Sequence, residues 1–363
     1  TDSNNFFDIS VDGNRRFQVR NKASGSYNMQ LLLTRQFRDP SAWTHFFIAI
    51  DTTQSTESNR VKIFINGTQD TTFNTSTYPS QNDDLFMNAN SKTAKISGTS
   101  GVRFNGYLAE FVLIDGTVKA VTDFGEFDSD SPTIWKPIDV SGLSGDKGVN
   151  GFYLDFEDSS ALGNCAFGGT DFTVSNLAAT DQATDTCTNN FATLNNLNKG
   201  SGVTLSEGNL GYTAPSGSLA SVLSTIGVSQ GKWYIEYKWV SGSNSHVGVG
   251  QADINLNTYL GDNTNAYSYF RNGTLYGGGT AISYGDAYVT GDIIGVALDL
   301  DNGALWFSKN GTWQNSATQT EVENGTTTNA AVTGLTGEWF FGTGMGTSSE
   351  VSNMNFGSPP YSI

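Results

Sequence analysis

Apolar and polar residues alternate with a period of two, again and again along this chain. Phe17-Gln18-Val19-Arg20, Val61-Lys62-Ile63-Phe64-Ile65 and Trp233-Tyr234-Ile235-Glu236-Tyr237 show the pattern. Each puts its apolar side chains on one face, as half-buried antiparallel strands do. Helical periodicity is nearly absent. Asn-Gly pairs begin at Asn66, Asn105, Asn150, Asn272, Asn302, Asn310 and Asn324. Both residues tolerate the positive φ that a two-residue hairpin turn needs. The pattern predicts an all-β chain connected by hairpins, not by crossover helices.

Length divides that prediction in two. A chain of 363 residues is too long for one ordinary sandwich and suits two cores. The alternation weakens in a polar stretch, which predicts one domain over 1–157, a linker over 158–190 and a second domain over 191–363. Phe167, Phe172, Val174 and Leu177 give that linker apolar anchors and predict that it packs along the first domain. The chain has 42 Gly, 12% aromatic and 15% charged residues, a mixture that fits short strands and tight turns. Lys and Arg number 19 against 35 Asp and Glu, for a net charge of −16. Such a charge repels phosphate backbones and anionic lipid surfaces, so nucleic acid is not an expected partner. No apolar run approaches the ~18 residues of a membrane-spanning helix, so no membrane insertion is expected. Thr1 to Phe7 carries neither a basic nor an apolar leader region, so a targeting signal is expected to be absent or removed.

In the first domain, Asp39-Pro40-Ser41-Ala42-Trp43-Thr44-His45-Phe46-Phe47-Ile48-Ala49-Ile50-Asp51 reads as a turn and a Trp-bearing strand. Arg60-Val61-Lys62-Ile63-Phe64-Ile65-Asn66-Gly67 then ends in an Asn-Gly turn. This hairpin, with Phe104-Asn105-Gly106-Tyr107-Leu108-Ala109-Glu110-Phe111-Val112-Leu113-Ile114-Asp115-Gly116, resembles the concanavalin-A-like, laminin-G-like jelly roll. Only residues 6–11, 16–20 and 29–34 are available as the early strands of that fold.

The second domain carries more specific motifs. Gly231-Lys232-Trp233-Tyr234-Ile235-Glu236-Tyr237, His246-Val247-Gly248-Val249-Gly250 and the long run from Gly291-Asp292 through Asp299-Leu300-Asp301-Asn302-Gly303 to Asn310-Gly311 stand in order. With the closing Asn353-Met354-Asn355-Phe356-Gly357-Ser358-Pro359-Pro360-Tyr361, they resemble the SPRY domain. The fold implied is two tandem antiparallel β-sandwiches, a jelly roll and then a SPRY-like sandwich. SPRY domains bind through loops and have no catalytic site. The corresponding loops here, 257–270 and 276–288, hold Tyr259, Tyr267, Tyr269, Tyr276, Tyr284 and Tyr288. Tyrosine offers a rigid face and a hydroxyl, suited to sugar stacking or to protein hot spots, and the six are the candidate ligand-binding residues. Packing on the sandwich rim is the competing role for each.

Catalysis and metal binding have few candidates. Laminarinase-type relatives of the jelly roll use two carboxylates at alternate strand positions. The nearest pattern is Glu126-Phe127-Asp128-Ser129-Asp130, set between Gly125 and Ser131-Pro132, which reads as a polar loop. No catalytic residue is assigned. Calcium is the single cofactor considered, with Asp83, Asp84, Asp128 and Asp130 as loop oxygen donors, although no EF-hand spacing is present. His45 and His246 are the two histidines and both fall in strand-like runs, away from any metal or triad pattern. Cys165 and Cys187 can be read as a disulfide, worth about 3 kcal/mol on the loop-entropy model, or as two thiols. The Asn-Gly-Thr sequons double as turns.

The order of the two domains, joined by Gly151-Phe152-Tyr153-Leu154-Asp155-Phe156-Glu157-Asp158-Ser159-Ser160 and Asp171-Phe172-Thr173-Val174-Ser175-Asn176-Leu177, resembles structural proteins of marine bacteriophages. That resemblance implies a non-enzymatic tail-fibre or capsid-decoration protein on the virion surface or outside the cell. Its expected partners are virion structural proteins, further copies of itself as a homo-oligomer, and host-surface glycans or envelope components. The alternatives are a spacer or assembly subunit, and a secreted bacterial adhesin or laminarinase-like glycosidase.

Overall fold

A computed structural model of the chain describes residues 3–357 apart from 40, 41, 90–92, 97, 100, 101, 105, 184, 189 and 349. Pro40 and Ser41 of the first expected turn, Asn105 of one Asn-Gly pair, and the closing stretch from Ser358 lie outside the described residues. The chain divides into two compact units, Thr1–Gln182 with Thr186–Thr188, and Ala183–Asp185 with Asn189–Ile363.

The first unit begins with β1 (Phe6–Val11), β2 (Arg16–Ala23), β3 (Ser26–Gln36), β4 (Phe46–Ile50), β5 (Val61–Ile65), β6 (Thr68–Asp70) and β7 (Phe73–Thr77). One antiparallel sheet runs β1-β2-β3-β7 and a second runs β4-β5-β6. In β5, Val61, Ile63 and Ile65 are buried while Lys62 and Phe64 are less so, the alternation expected of a strand with one covered face. These three pack with Phe17, Val19, Met29, Leu31 and Leu33 of the other sheet in one core, so the two sheets stack face to face. Asn66 and Gly67 turn β5 into β6 at φ 48° and 76°. His45 and Trp43 lie just ahead of β4, outside the strand that was expected to include them.

Shorter pairs follow: β8 (Gly98–Thr99) with β9 (Val102–Arg103), β10 (Phe111–Leu113) with β13 (Phe152–Leu154), and β11 (Gly125–Phe127) with β12 (Trp135–Pro137). Glu126 therefore sits on a strand, not in the loop that its Gly and Pro neighbours suggest. Around β10 and β13, Phe152 and Leu154 share a second core with Val140, Cys165 and Phe167, and Phe172 packs against it. The stretch expected as a linker thus supplies part of this core. Val174 and Leu177 stay exposed.

The second unit holds β14 (Leu194–Lys199), β15 (Thr204–Ser206), β16 (Gly211–Thr213), β17 (Ser216–Val228), β18 (Lys232–Ser241), β19 (His246–Gly250), β20 (Ala266–Phe270), β21 (Thr274–Gly277), β22 (Thr280–Ser283), β23 (Ile293–Asp299), β24 (Ala304–Lys309), β25 (Thr312–Trp313), β26 (Val332–Thr333), β27 (Trp339–Ser348) and β28 (Val351–Asn355). One antiparallel sheet runs β14-β17-β27-β19-β20-β21-β22; the other runs β15-β16-β28-β18-β23-β24-β25, with β26 beside β24. Tyr237, Trp239, Val247, Val249, Tyr269, Val296, Leu298, Leu305, Phe307 and Phe341, among others, form the core between them.

Local chemistry fixes the hairpins. Asp299 accepts from the backbone N–H of Asp301 and Asn302, both at 3.0 Å, closing the turn from β23 to β24. Asn310 and Gly311 take φ 47° and 80° before β25. The outer side of β23 and β24 is covered as well: Ala297, Ala304 and Trp306 pack under Trp313, Ala317, Val322 and Ala330. Val322 belongs to α1 (Gln319–Asn324), whose Thr318 cap and Glu321 form a reciprocal capping box.

Candidate binding site

All five residues of β19 are buried, which means that the outer face of this sheet is covered too. The cover is the connection from β19 to β20. Along it, Ile254, Leu256, Thr258 and Leu260 are buried while Asp253, Asn255 and Asn257 are exposed, a strand-like alternation in a segment without strand pairing. Ile254, Leu256 and Leu260 pack on Leu223 and Ala266. The backbone N–H of Ser221 donates to Leu256 O at 2.8 Å, and that of Ser201 donates to Asn257 Oδ1 at 2.8 Å. Glycines make room: a Cβ on Gly250 would lie 2.8 Å from Ile254 Cδ1, and one on Gly200 would lie 2.1 Å from Leu256 O. The strap thereby holds its exposed positions on a fixed base.

Where the strap ends, four aromatic rings gather. His246 stacks on Phe270 with centroids 4.5 Å apart and lies 5.1 Å from both Tyr259 and Tyr276. Tyr259 and Tyr276 meet edge to face at 5.4 Å. Tyr259, Phe270 and Tyr276 are half-buried, so the cluster has a solvent-facing side, whereas His246 beneath them is 2% exposed. His246 Nδ1 is 2.8 Å from Ser268 Oγ, which itself donates to the Leu260 carbonyl. The Ser268 oxygen is left to accept from the imidazole.

Burial holds the His246 imidazole neutral and pushes its pKa down to about 3. The unfolded histidine has the ordinary value near 6.5, so between those values the unfolded chain binds the extra proton. Stability from this site is complete above pH ~6.5 and declines as pH falls toward 3, with a slope of up to about 1.4 kcal/mol per pH unit. Urea midpoints between pH 7 and pH 5, above the carboxylate range, should fall in the native chain. In His246→Gln they should fall less steeply, and an equal slope would contradict the assignment.

The tyrosines separate into two groups. Tyr269, Tyr284 and Tyr288 are 0%, 8% and 1% exposed and belong to the core between the sheets, so for these three the structure replaces ligand binding with packing. The Tyr288 hydroxyl donates toward the carbonyls of Ser245 at 2.9 Å and Tyr269 at 3.1 Å. Tyr284 Oη accepts from the Phe307 backbone N–H at 3.2 Å, and burial pushes the Tyr284 pKa up to about 12. Tyr269 donates to the Asp286 carbonyl. Tyr259, Tyr267 and Tyr276 remain half-buried. Tyr267 lies beside Trp339, 5.8 Å between centroids, apart from the His246 cluster.

The carboxylates considered for calcium do not converge. Asp83 accepts from Asn28 Nδ2 at 2.8 Å and Asp84 is exposed. Asp128 accepts from the backbone N–H of Asp130 at 2.9 Å and of Ser131 at 3.0 Å, and these bonds hold its carboxyl below the usual range. Lys136 lies 3.3 Å from Glu126 and 3.4 Å from Asp128, so this pair of acids clasps a lysine. Asp130 is exposed. Among the described residues no three His, Cys, Asp or Glu side chains are grouped to hold a metal ion. Cys165 and Cys187 are not bridged: Cys165 is buried with Sγ 3.7 Å from the Gly168 carbonyl.

Comparison with known proteins bears on the unit that carries the strap and the ring cluster. Residues 232–333 match the SPRY domain. Ran-binding protein 9 of Xenopus laevis is 30% identical over 169 residues, covering 43% of this chain and 28% of that protein. Ran-binding protein 10 of Danio rerio is 29% identical over 149 residues, covering 39% and 22%. The chain thus spans less than a third of these relatives. The SPRY domain of human HERC1 aligns in structure with a TM-score of 0.36 at 19% identity, covering 45% of this chain and 98% of that one. SPRY domains are protein-interaction modules. The SPRY match runs from the start of β18 to the end of β26, yet β17, β27 and β28, which lie outside it, are interior strands of both sheets. The folded unit is therefore larger than the matched SPRY stretch.

Two features of this site escaped the sequence reading. Phe270 and His246 received no role, because a buried strand end next to a loop has no local signal. The loop expected over 257–270 takes in only the second part of the strap, and the alternation of Ile254, Leu256 and Leu260 with polar residues is the local signal that marks the whole strap as packed.

Proposed function

We propose that this chain is a non-catalytic binding protein whose second unit engages a protein ligand through the strap 251–265 and the solvent-facing side of Tyr259, Phe270 and Tyr276. The observation that carries the reading is the SPRY match over the segment that contains both; the relatives' names, which cite binding to Ran, support a protein ligand. Tyrosines on a rigid base suit the role, since anchors that lose little freedom on binding dominate interface energetics.

A second reading is favoured by the same half-exposed rings, which can stack on sugars. In it the chain is a virion-surface or extracellular protein, homo-oligomeric and attached to virion structural proteins, whose many weak copies bind host-surface glycans.

One pair of screens separates the readings. An oligomerised chain is tested against a displayed peptide library and against a glycan array. The leading reading expects peptide ligands whose binding weakens about tenfold, or about 1.4 kcal/mol, in Tyr259→Ala. Glycan ligands alone would favour the second reading. Binding to neither would favour a spacer or assembly subunit.

A further inference from the structure

The seven-stranded sheet ends in β22, and among the described residues no strand pairs with its far side. Thr280, Ala281, Ile282 and Ser283 are all exposed, Ile282 by 53%. Natural sheets blunt such edges with lysine, proline or a bulge. Here the four residues are uncharged, none is proline, and the pairing of β22 with β21 runs from Gly277↔Thr280 to Thr274↔Ser283 without a register shift. The hairpin is firmly set, because Gly278 and Gly279 take φ 59° and 73° in its two-residue turn. Ile282 lies opposite Leu275, a core residue, so its side chain is on the core-facing side of the sheet and extends that surface outward.

An acid stands at each end of this open edge. Gly279, at the turn, lies beside Asp262, whose Oδ1 is 3.5 Å from where a Cβ would stand. Asp286 follows the other end, its backbone N–H tied to Gln314 Oε1 at 2.7 Å. Both acids are exposed, and neither is in an ion pair among the described residues. The nearby Lys309, which donates to the Ala287 carbonyl, has Asp292 at 3.7 Å as its counter-charge.

We infer that β22 is a second interaction surface, one that takes an extended segment of a partner protein as an added strand flanked by basic residues. Main-chain hydrogen bonds to the open edge supply the attachment, an apolar side chain beside Ile282 the anchor, and Asp262 and Asp286 the selection for Lys or Arg. A second copy of this chain is a poor occupant. In an antiparallel self-pairing the Asp262 end of one copy meets the Asp286 end of the other, so like charges face each other at both ends. The edge adjoins the first surface, since Asp262 belongs to the strap and Tyr276 of the ring cluster pairs with Ala281, but Ile282 and the open side of β22 take no part in that surface.

The test uses the whole chain and a blocked heptapeptide of alternating Thr and Val with a lysine at each end. Expected are saturable binding that salt weakens, and amide-exchange protection at residues 280–283. Ile282→Lys should weaken binding about tenfold or more, as a charge on an edge strand does. Asp262→Asn with Asp286→Asn, or glutamates in place of the peptide's lysines, should weaken it severalfold. Ala281→Lys serves the same purpose if Ile282→Lys unfolds the unit, as judged by circular dichroism. Absence of saturable binding, equal binding of the glutamate peptide, unchanged binding by both edge variants, or protection on 251–265 instead would overturn the inference. So would self-association that the edge variants abolish. Ligands lost in Tyr259→Ala but retained in Ile282→Lys would leave the strap reading intact and count against the edge.

Discussion

Trp306→Ala is expected to destabilise the second unit by about 3–5 kcal/mol, the range for deleting a fully buried large aromatic. Trp306 points away from the main core yet is 0% exposed, because Trp313, Ala317, Val322 and Ala330 close over it. Its removal opens a cavity under a cover that contains a single six-residue helix, and also detaches that cover. Trp306→Phe is the informative companion. Trp306 Nε1 is buried with no hydrogen-bond partner among the described residues, and an unpaired buried donor costs about 1–3 kcal/mol. Phenylalanine deletes that donor along with part of the ring, so the two effects offset and the loss should stay under ~2 kcal/mol. Urea unfolding followed by tryptophan fluorescence would measure both; a loss below ~1 kcal/mol for the alanine variant would mean that the cover collapses into the gap.

The second large effect comes from adding one carbon. A Cβ on Gly248 would fall 2.0 Å from the carbonyl oxygen of Tyr267 in the adjacent strand. Backbone on both sides must move to admit it, in the middle of a seven-stranded sheet. Gly248→Ala should therefore cost about 3 kcal/mol, at the upper end of overpacking effects. Gly13→Ala is the control: no atom lies within 4 Å of its Cβ position, and a surface change of that kind stays within ~0.5 kcal/mol. Equal melting temperatures for the two variants would refute the steric argument.

Gly248 also shows what could be read from the sequence and what could not. The alternation in β5 and β18, and the Asn-Gly turn between β24 and β25, identify strands and hairpins because each depends on neighbours in the chain. Glycines within a strand, as in β19, signal a close backbone approach without saying from which side. Gly248 admits the next strand of its own sheet, and Gly250 admits the strap on the outer face. The tyrosines show the same limit. Tyr267, Tyr269 and Tyr276 were placed in loops because Asn and Gly surround them, but they lie on β20 and β21. Whether such a ring faces the core or solvent is fixed by strand register, which depends on residues far along the chain. The helix α1 did have a local signature, Thr318-Gln319-Thr320-Glu321 before Gly325, a capping box and a terminating glycine. Six residues are too few to add a helical period to that signature. Cys165 shows the reverse: its polar neighbourhood leaves a bridge and two thiols equally open, and the structure has no bridge, with the thiol buried among the aromatic residues nearby.

The strap between β19 and β20 has a consequence for how this protein can change over generations. Because every second residue is locked into the sandwich, the exposed residue at 253 can vary with little penalty to folding, those at 255 and 257 can vary where a side-chain oxygen is kept to accept from the backbone, and those at 254, 256 and 260 cannot. Diversification should therefore appear as a comb of variable and fixed positions. New specificities would arise there without the loss of order that usually accompanies a lengthened loop.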